Sequence, residues 1–374
     1  MMTPLQELAA LLRPAGGGLY LVSTGKAEQQ ALQQRLYGVT TPEQVQEKFL
    51  AALERIVTAK GVLLGAPSDV GAGFSRGANL GPQAIRTRLL EDLPDWPQQA
   101  EQLGLVDLGD VFVVPQLLHD TMLSEPQKEA SRRALYPQLT PADAATLPVS
   151  PLSIAERAWD LIFELNPLAK PFVLGGDHSN ALPVTLAMAK VQKAPWGIVQ
   201  PDAHTDLLPE RLGVKYCFAT WSWHANEALG RKGRLTQVGI RASGRDQAHW
   251  ESTCGVRQFW AKDILNDPAA ALDAVIAHVK STGVTGVYFS NDIDGTDSRW
   301  ADATGTPEPA GLTPDWVSAL IARLGSEVGL LGGDIMEVAP SLTRTPQSAP
   351  RTIGLAVKYL VETIHAALGS TRRT

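Results

Sequence analysis

Acidic and imidazole side chains stand at the ends of three short apolar runs, and this placement constrains the 374-residue chain more than any other feature. Phe172 to Leu174 leads into Gly-Gly-Asp-His178-Ser, and Gly197 to Val199 leads into Gln-Pro-Asp202-Ala-His204-Thr-Asp206. Far downstream, Val287-Tyr-Phe-Ser-Asn leads into Asp292-Ile-Asp294. Runs of this kind read as buried parallel strands of an α/β protein, whose C-terminal ends carry the chemistry. Alternate residues of an extended segment project to one side, so Asp202, His204 and Asp206 are expected to face a single cleft. Any one of them would pass as a strand-end turn residue. Four carboxylates and two imidazoles together would repel, or hold protons, without a cation among them.

These three stretches closely resemble the metal-binding signatures of the ureohydrolase (arginase and agmatinase) family. The resemblance extends to Pro67-Ser-Asp69, Arg76-Gly-Ala and Gly81-Pro-Gln-Ala-Ile-Arg86 upstream, and downstream to Thr304-Gly-Thr-Pro-Glu-Pro-Ala-Gly-Leu312 and Asp334-Ile-Met-Glu337-Val-Ala-Pro340. It covers the chain from about residue 60 onward. It implies a three-layer αβα sandwich around a mostly parallel sheet, and two divalent ions, Mn²⁺ foremost, with Ni²⁺ or Zn²⁺ as alternatives. By resemblance Asp202 and Asp292 bridge both ions, His178 and Asp206 complete one, and His204 and Asp294 the other. Asp206 is also the implied proton carrier to the leaving amine. His224, in Trp221-Ser-Trp-His224-Ala, takes the place of the family's shuttling histidine, although Ala225 stands where a glycine is usual. Glu337 takes the place of the carboxylate that holds the substrate's guanidinium.

The implied reaction is hydrolysis of a guanidino compound to urea and an amine or ammonia. Guanidinium carbon is a poor electrophile and neutral water a weak nucleophile, so a hydroxide shared by two cations suits the task. Two ions (+4), four carboxylates (−4) and that hydroxide leave about −1, which welcomes a cationic substrate. Arginases place polar residues after the Asp-Ala-His-x-Asp motif to read an α-amino acid head, whereas Leu207, Leu208 and Pro209 follow here. Agmatine, a guanidino acid or a small guanidine therefore fits better than arginine. The following loop carries Tyr216, Phe218, Trp221 and Trp223, which suit an alkyl tail or a cation, or simply anchor the loop. Asn291 and Ser298 also depart from the family pattern. Three other readings stay open: a formiminoglutamase-like amidine hydrolase, a one-zinc deacetylase-like amide hydrolase, and a non-catalytic metal-binding relative.

Composition narrows the class without choosing an activity. A hydrophobic share of 44% and a charged share of 19% belong to a globular chain with a large core. Net charge is −6, the only basic cluster is the terminal Arg372-Arg373, and no nucleic-acid partner is expected. Cys217 and Cys254 are too few for a disulfide framework. No run is long enough to span a bilayer, and the start lacks a basic segment followed by an apolar one, so a cytoplasmic enzyme is expected. The family likeness adds a homo-oligomer, trimer or hexamer.

In chain order, residues 1–60 form an extension ahead of the metallohydrolase domain at 61–374. Gly18 to Ser23 reads as an extra strand. Thr41-Pro42-Glu-Gln44 reads as a capping box opening a helix, on which Val45, Phe49, Leu53 and Ile56 make one apolar stripe for the domain or for a neighbouring subunit. A strand is expected at 61–67, then a glycine-rich loop at 68–80 that either rims the site or is closed by an Asp69–Arg76 pair. A helix at 81–91 and a strand at 103–114 follow. The proline-rich stretch 115–151 reads as an insertion at the rim. Helices are expected at 154–166, 180–192, 268–281, 313–325 and 351–368, and strands at 172–175, 196–200, 235–240, 284–290 and 328–332. Their alternation gives a parallel sheet between helical layers.

Overall fold

The computed structural model describes residues 2–369, so the Arg372-Arg373 pair lies outside the described residues. Nine strands form one sheet: β1 Leu12–Arg13, β2 Gly61–Ala66, β3 Leu105–Val111, β4 Lys170–Gly175, β5 Gly197–Pro201, β6 Leu235–Ile240, β7 Arg257–Trp260, β8 Val287–Asp292 and β9 Leu330–Met336. Their spatial order is β1-β3-β2-β4-β9-β8-β5-β6-β7. All pairings are parallel except β1 on β3, so the expected sandwich is the observed one. β2, β5, β6 and β8 are buried along their whole length, as strands covered by helices on both faces must be. Two apolar clusters fill the two layers. Trp159, Ile162, Leu182 and Trp221 belong to one, and Val317, Leu320, Tyr359 and Leu360 to the other.

The local signals for the helices are mostly where the sequence placed them. Thr41 and Gln44 form the capping box of helix Pro42–Glu54. Pro268, Pro314 and Pro151 open helices at the first turn, where a missing N–H costs nothing. The stripe of Val45, Phe49, Leu53 and Ile56 is at most 5% exposed, packed by its own chain, and so offers no subunit surface.

Residues Gly18 to Ser23 are not a strand. Leu19 makes a single bridge to Val113, and the true edge strand lies earlier, at Leu12–Arg13. The reason is the buried Asp110, whose Oδ2 accepts from the amides of Gly16 and Gly18 at 2.7 and 3.4 Å and turns the chain there. Asp110 Oδ1 also takes Arg86 at 2.5 Å, while Asp107 pairs with Arg86 through two 2.9 Å bonds. Burial works against charge on Arg86, but Asp107 and Asp110 outweigh it and hold it cationic. We expect Asp110→Ala to destabilise the fold by about 3–5 kcal/mol, because it strands a buried guanidinium and two backbone amides. A urea-denaturation midpoint equal to that of the parent would refute this.

The stretch 115–151 is structured. It holds helix Glu125–Leu135, a single turn at Pro141–Ala144, and the buried residues Leu117, Tyr136, Leu147 and Val149. Gln116 to Leu118, Met122 and Leu123 line a cleft of about 560 Å³ with Phe74, Arg211 and Phe218.

Candidate metal centre and active site

The four central strands, β4, β9, β8 and β5, bring the predicted residues together beyond their C-terminal ends. His178 follows β4 across Gly176, where any Cβ would fall 1.8 Å from the Ser68 carbonyl oxygen. Asp202, His204 and Asp206 follow β5, Asp292 ends β8 with Asp294 in the turn after it, and Glu337 follows β9. Convergence after β5 does not come from strand alternation, since β5 stops at Pro201. A tight turn in which the His204 amide donates to Asp202 Oδ1 at 2.6 Å does the aiming, together with a left-handed backbone at Asp206 (φ 52°). Glu337 shares that rare conformation at φ 62°. Strained non-glycine residues of this kind persist where the surroundings force them, and they concentrate at functional sites.

Two ligand sets share Asp202: His178, Asp202 and Asp206 in one, and Asp202, His204 and Asp294 in the other. Both imidazoles turn Nδ1 inward. His178 Nδ1 lies 2.9 Å from Asp292 Oδ2, 3.4 Å from Asp202 Oδ2 and 3.7 Å from Asp206 Oδ2. His204 Nδ1 lies 3.2 Å from Asp294 Oδ2 and 3.7 Å from Asp202 Oδ1. This donor set, oxygen-rich with two nitrogens, fits a pair of divalent cations. Electrostatics agree. Burial, with the charge of Asp202, lifts Asp206 well above the carboxylate range, and burial with Asp294 and Asp202 does the same to Asp292. Burial opposes charge on both histidines, but the neighbouring carboxylates prevail and raise His178 strongly and His204 to about 12. Protons are thus held where cations would otherwise sit.

Several supporting contacts lie beyond what the sequence shows, and Arg241 was not singled out by it at all. Ser290 Oγ lies 3.0 Å from His178 Nε2 and donates to buried Asp334, fixing the ring from behind. Arg241 donates to the carbonyls of Asp294 and Glu308 and so ties the β8 turn to its neighbouring loop. Trp221 is fully buried rather than a wall of the cleft. It stacks on His178 at 4.4 Å and donates its indole N–H to Asp206 Oδ2 at 3.1 Å. Glu337 Oε1 accepts the His178 amide at 2.9 Å, and burial, then the charge of Asp177, raises its pKa well above the usual range.

His224 is not brought into this cluster. Its Nε2 lies 3.1 Å from the Lys215 carbonyl oxygen, and the ring is packed between Tyr216 and Trp223. Asp69 and Arg76 do not pair either: Asp69 accepts from the Gly77 amide and Arg76 donates to the Val70 carbonyl. Their loop rims the site through Gly73 and Phe74, which line a cleft of about 800 Å³ above His204 and Asp206. Leu207, Leu208, Pro209, Phe218, Trp223 and Trp250 give it apolar walls, and Arg211, Arg245 and His249 its polar edge.

A sheet flanked by helices, with two cation-ready ligand sets sharing one aspartate beyond adjacent strand ends, defines a binuclear metallohydrolase. Residues 59–365 match the model of the arginase family, and the chain belongs to that family. Guanidinobutyrase of Pseudomonas aeruginosa is 29% identical over 318 residues, covering 83% of this chain and 87% of that protein. Agmatinase of Chromobacterium violaceum is 30% identical over 306 residues, covering 79% and 81%. The crystal structure of agmatine ureohydrolase from Thermoplasma volcanium superposes with a TM-score of 0.62 at 26% identity, covering 83% of this chain and 90% of that one.

Proposed function

We propose that this hydrolase cleaves a C–N bond of a guanidino acid, a compound with a guanidinium at one end and a carboxylate at the other, releasing urea and an amino acid. The observation that carries the choice is the charge of the cleft. Among the described residues Asp206 is the only carboxylate lining it, while Arg211 and Arg245 stand at its edge. Arg211 is held over the Phe218 ring at 4.9 Å. A terminal ammonium, as in agmatine or in the α-amino group of arginine, would meet two guanidiniums at that edge, away from Asp206, whereas a carboxylate is matched by both.

When bound, two ions, Mn²⁺ in our reading, supply a water acidic enough to attack at neutral pH. His178, Asp202, His204, Asp206, Asp292 and Asp294 would hold them. Glu337 pairs with the guanidinium and fixes the central carbon toward the cluster. Asp206 Oδ2, oriented by Trp221, carries a proton toward the leaving nitrogen. Apolar side chains from Leu208 and Trp223 exclude water around the substrate's alkyl chain. A cytoplasmic homo-oligomer, trimer or hexamer, with residues 1–60 as an extension of the 61–374 domain, completes the reading on family likeness alone. Among the described residues no helix is long and apolar enough to cross a membrane.

The test is a urea-release and ammonia-release screen of Mn²⁺- and Ni²⁺-loaded protein against guanidinobutyrate, guanidinopropionate, agmatine, arginine, guanidine and formiminoglutamate. A guanidino acid should show the highest kcat/KM. Arg211→Ala and Arg245→Ala should each raise its KM about 10-fold, the worth of a charge-assisted hydrogen bond. Agmatine or arginine at the top of the ranking would sink the carboxylate reading.

A further inference from the structure

Three glutamines occupy the interior of the sheet where apolar side chains would be expected. Gln200 on β5, Gln237 on β6 and Gln258 on β7 are directly opposite one another in register, and all are 0% exposed. Valine or isoleucine would fill this layer without leaving any polar group to satisfy. Each amide is instead bonded to the next. Trp260 Nε1 donates to Gln258 Oε1 at 2.9 Å, Gln258 Nε2 to Gln237 Oε1 at 2.8 Å, and Gln237 Nε2 to Gln200 Oε1 at 2.9 Å. Gln200 Nε2 then donates to Asp202 Oδ2 at 2.6 Å.

The direction of this row is set by its ends. An indole N–H can only donate and an ionised carboxylate can only accept, so flipping any one amide sets oxygen against oxygen and N–H against N–H. Ser222 Oγ donates to Gln200 Oε1 at 2.9 Å, and Gln237 Nε2 reaches the Thr205 carbonyl at 2.6 Å, which pins the row from the side. Hydrogen bonds aligned head to tail in a low-dielectric interior polarise one another.

We propose that this row, running from the partly exposed Trp260 at the sheet edge to Asp202, is the device that fixes the plane of the shared metal ligand. Asp202 Oδ1 takes the His204 amide and Oδ2 takes Gln200, so each oxygen is held by one donor and keeps a lone pair for an ion. Gln200, Gln237, Gln258 and Trp260 are positioning residues acting through Asp202. The inference concerns metal affinity and stands apart from which substrate is turned over.

The experiment titrates metal-free protein with Mn²⁺ alone against a competing chelator, alongside the thermal midpoint of the metal-free state. Gln200→Met should weaken Mn²⁺ binding 10- to 100-fold, the usual loss when the partner of a metal ligand is removed. Gln237→Met should weaken it less and Trp260→Phe least, by a few-fold, with little change in the metal-free midpoint. A purely structural row would lower that midpoint and leave Mn²⁺ affinity alone, and that outcome overturns the proposal. If the glutamine variants fail to fold, Trp260→Phe decides at the sheet edge: unchanged affinity there also overturns it.

Discussion

Asp202→Ala and Asp292→Ala should each bind fewer than two metal ions per chain and lose turnover by more than about 100-fold, exceeding the loss typical of a ligand's outer partner. Asp202 belongs to both ligand sets, and Asp292 lies 2.9 Å from His178 Nδ1. Removing Asp202 should disturb both ions, and removing Asp292 should do the same if it bridges them as the family likeness implies. His178 belongs to a single set, so His178→Ala should lower occupancy at one position and leave the other filled. Metal analysis after gel filtration, with activity on the same sample, separates these outcomes. Two ions and normal turnover in either aspartate variant would end the assignment of bridging ligands.

That prediction was within reach of the sequence because the six candidate ligands sit in three compact stretches beside apolar runs. Those runs, Phe172 to Leu174, Gly197 to Val199 and Val287 to Phe289, are strands because parallel strands covered on both faces need nothing but apolar residues there. Where this rule failed, polarity was the cause. β7, Arg-Gln-Phe-Trp, looks like surface because its buried glutamine is satisfied by another strand rather than by water. Helix Lys26–Tyr37 has only Gln29 and Leu32 buried, too sparse an apolar pattern to register as a period. Trp221 was legible as an aromatic but not as a buried one, since its role depends on which ring and carboxylate the fold brings to it. His224 shows the converse. Its neighbours in sequence resemble a motif, but the helix Trp221–Ala228 turns its ring toward the Lys215 carbonyl.

Glu337→Gln should keep both ions and lose kcat/KM on every guanidino substrate by about 100-fold or more. The exchange leaves the shape of the side chain, and its amide oxygen can still accept from the His178 N–H, so the ring beside the metal cluster stays put. The backbone at residue 337 is left-handed for either side chain, so its strain is unchanged. What is removed is the negative charge facing a cation in a buried site. Losing one partner of such a pair costs about 2–5 kcal/mol, and each 1.36 kcal/mol is tenfold in rate. Burial and the charge of Asp177 push the pKa of Glu337 up, and an arriving guanidinium pulls it back toward the ionised form. Glutamine carries no charge to offer that cation. A variant that retained parental kcat/KM on guanidino acids would show that the guanidinium is held elsewhere. One that lost its metal would show that Glu337 acts through His178 instead.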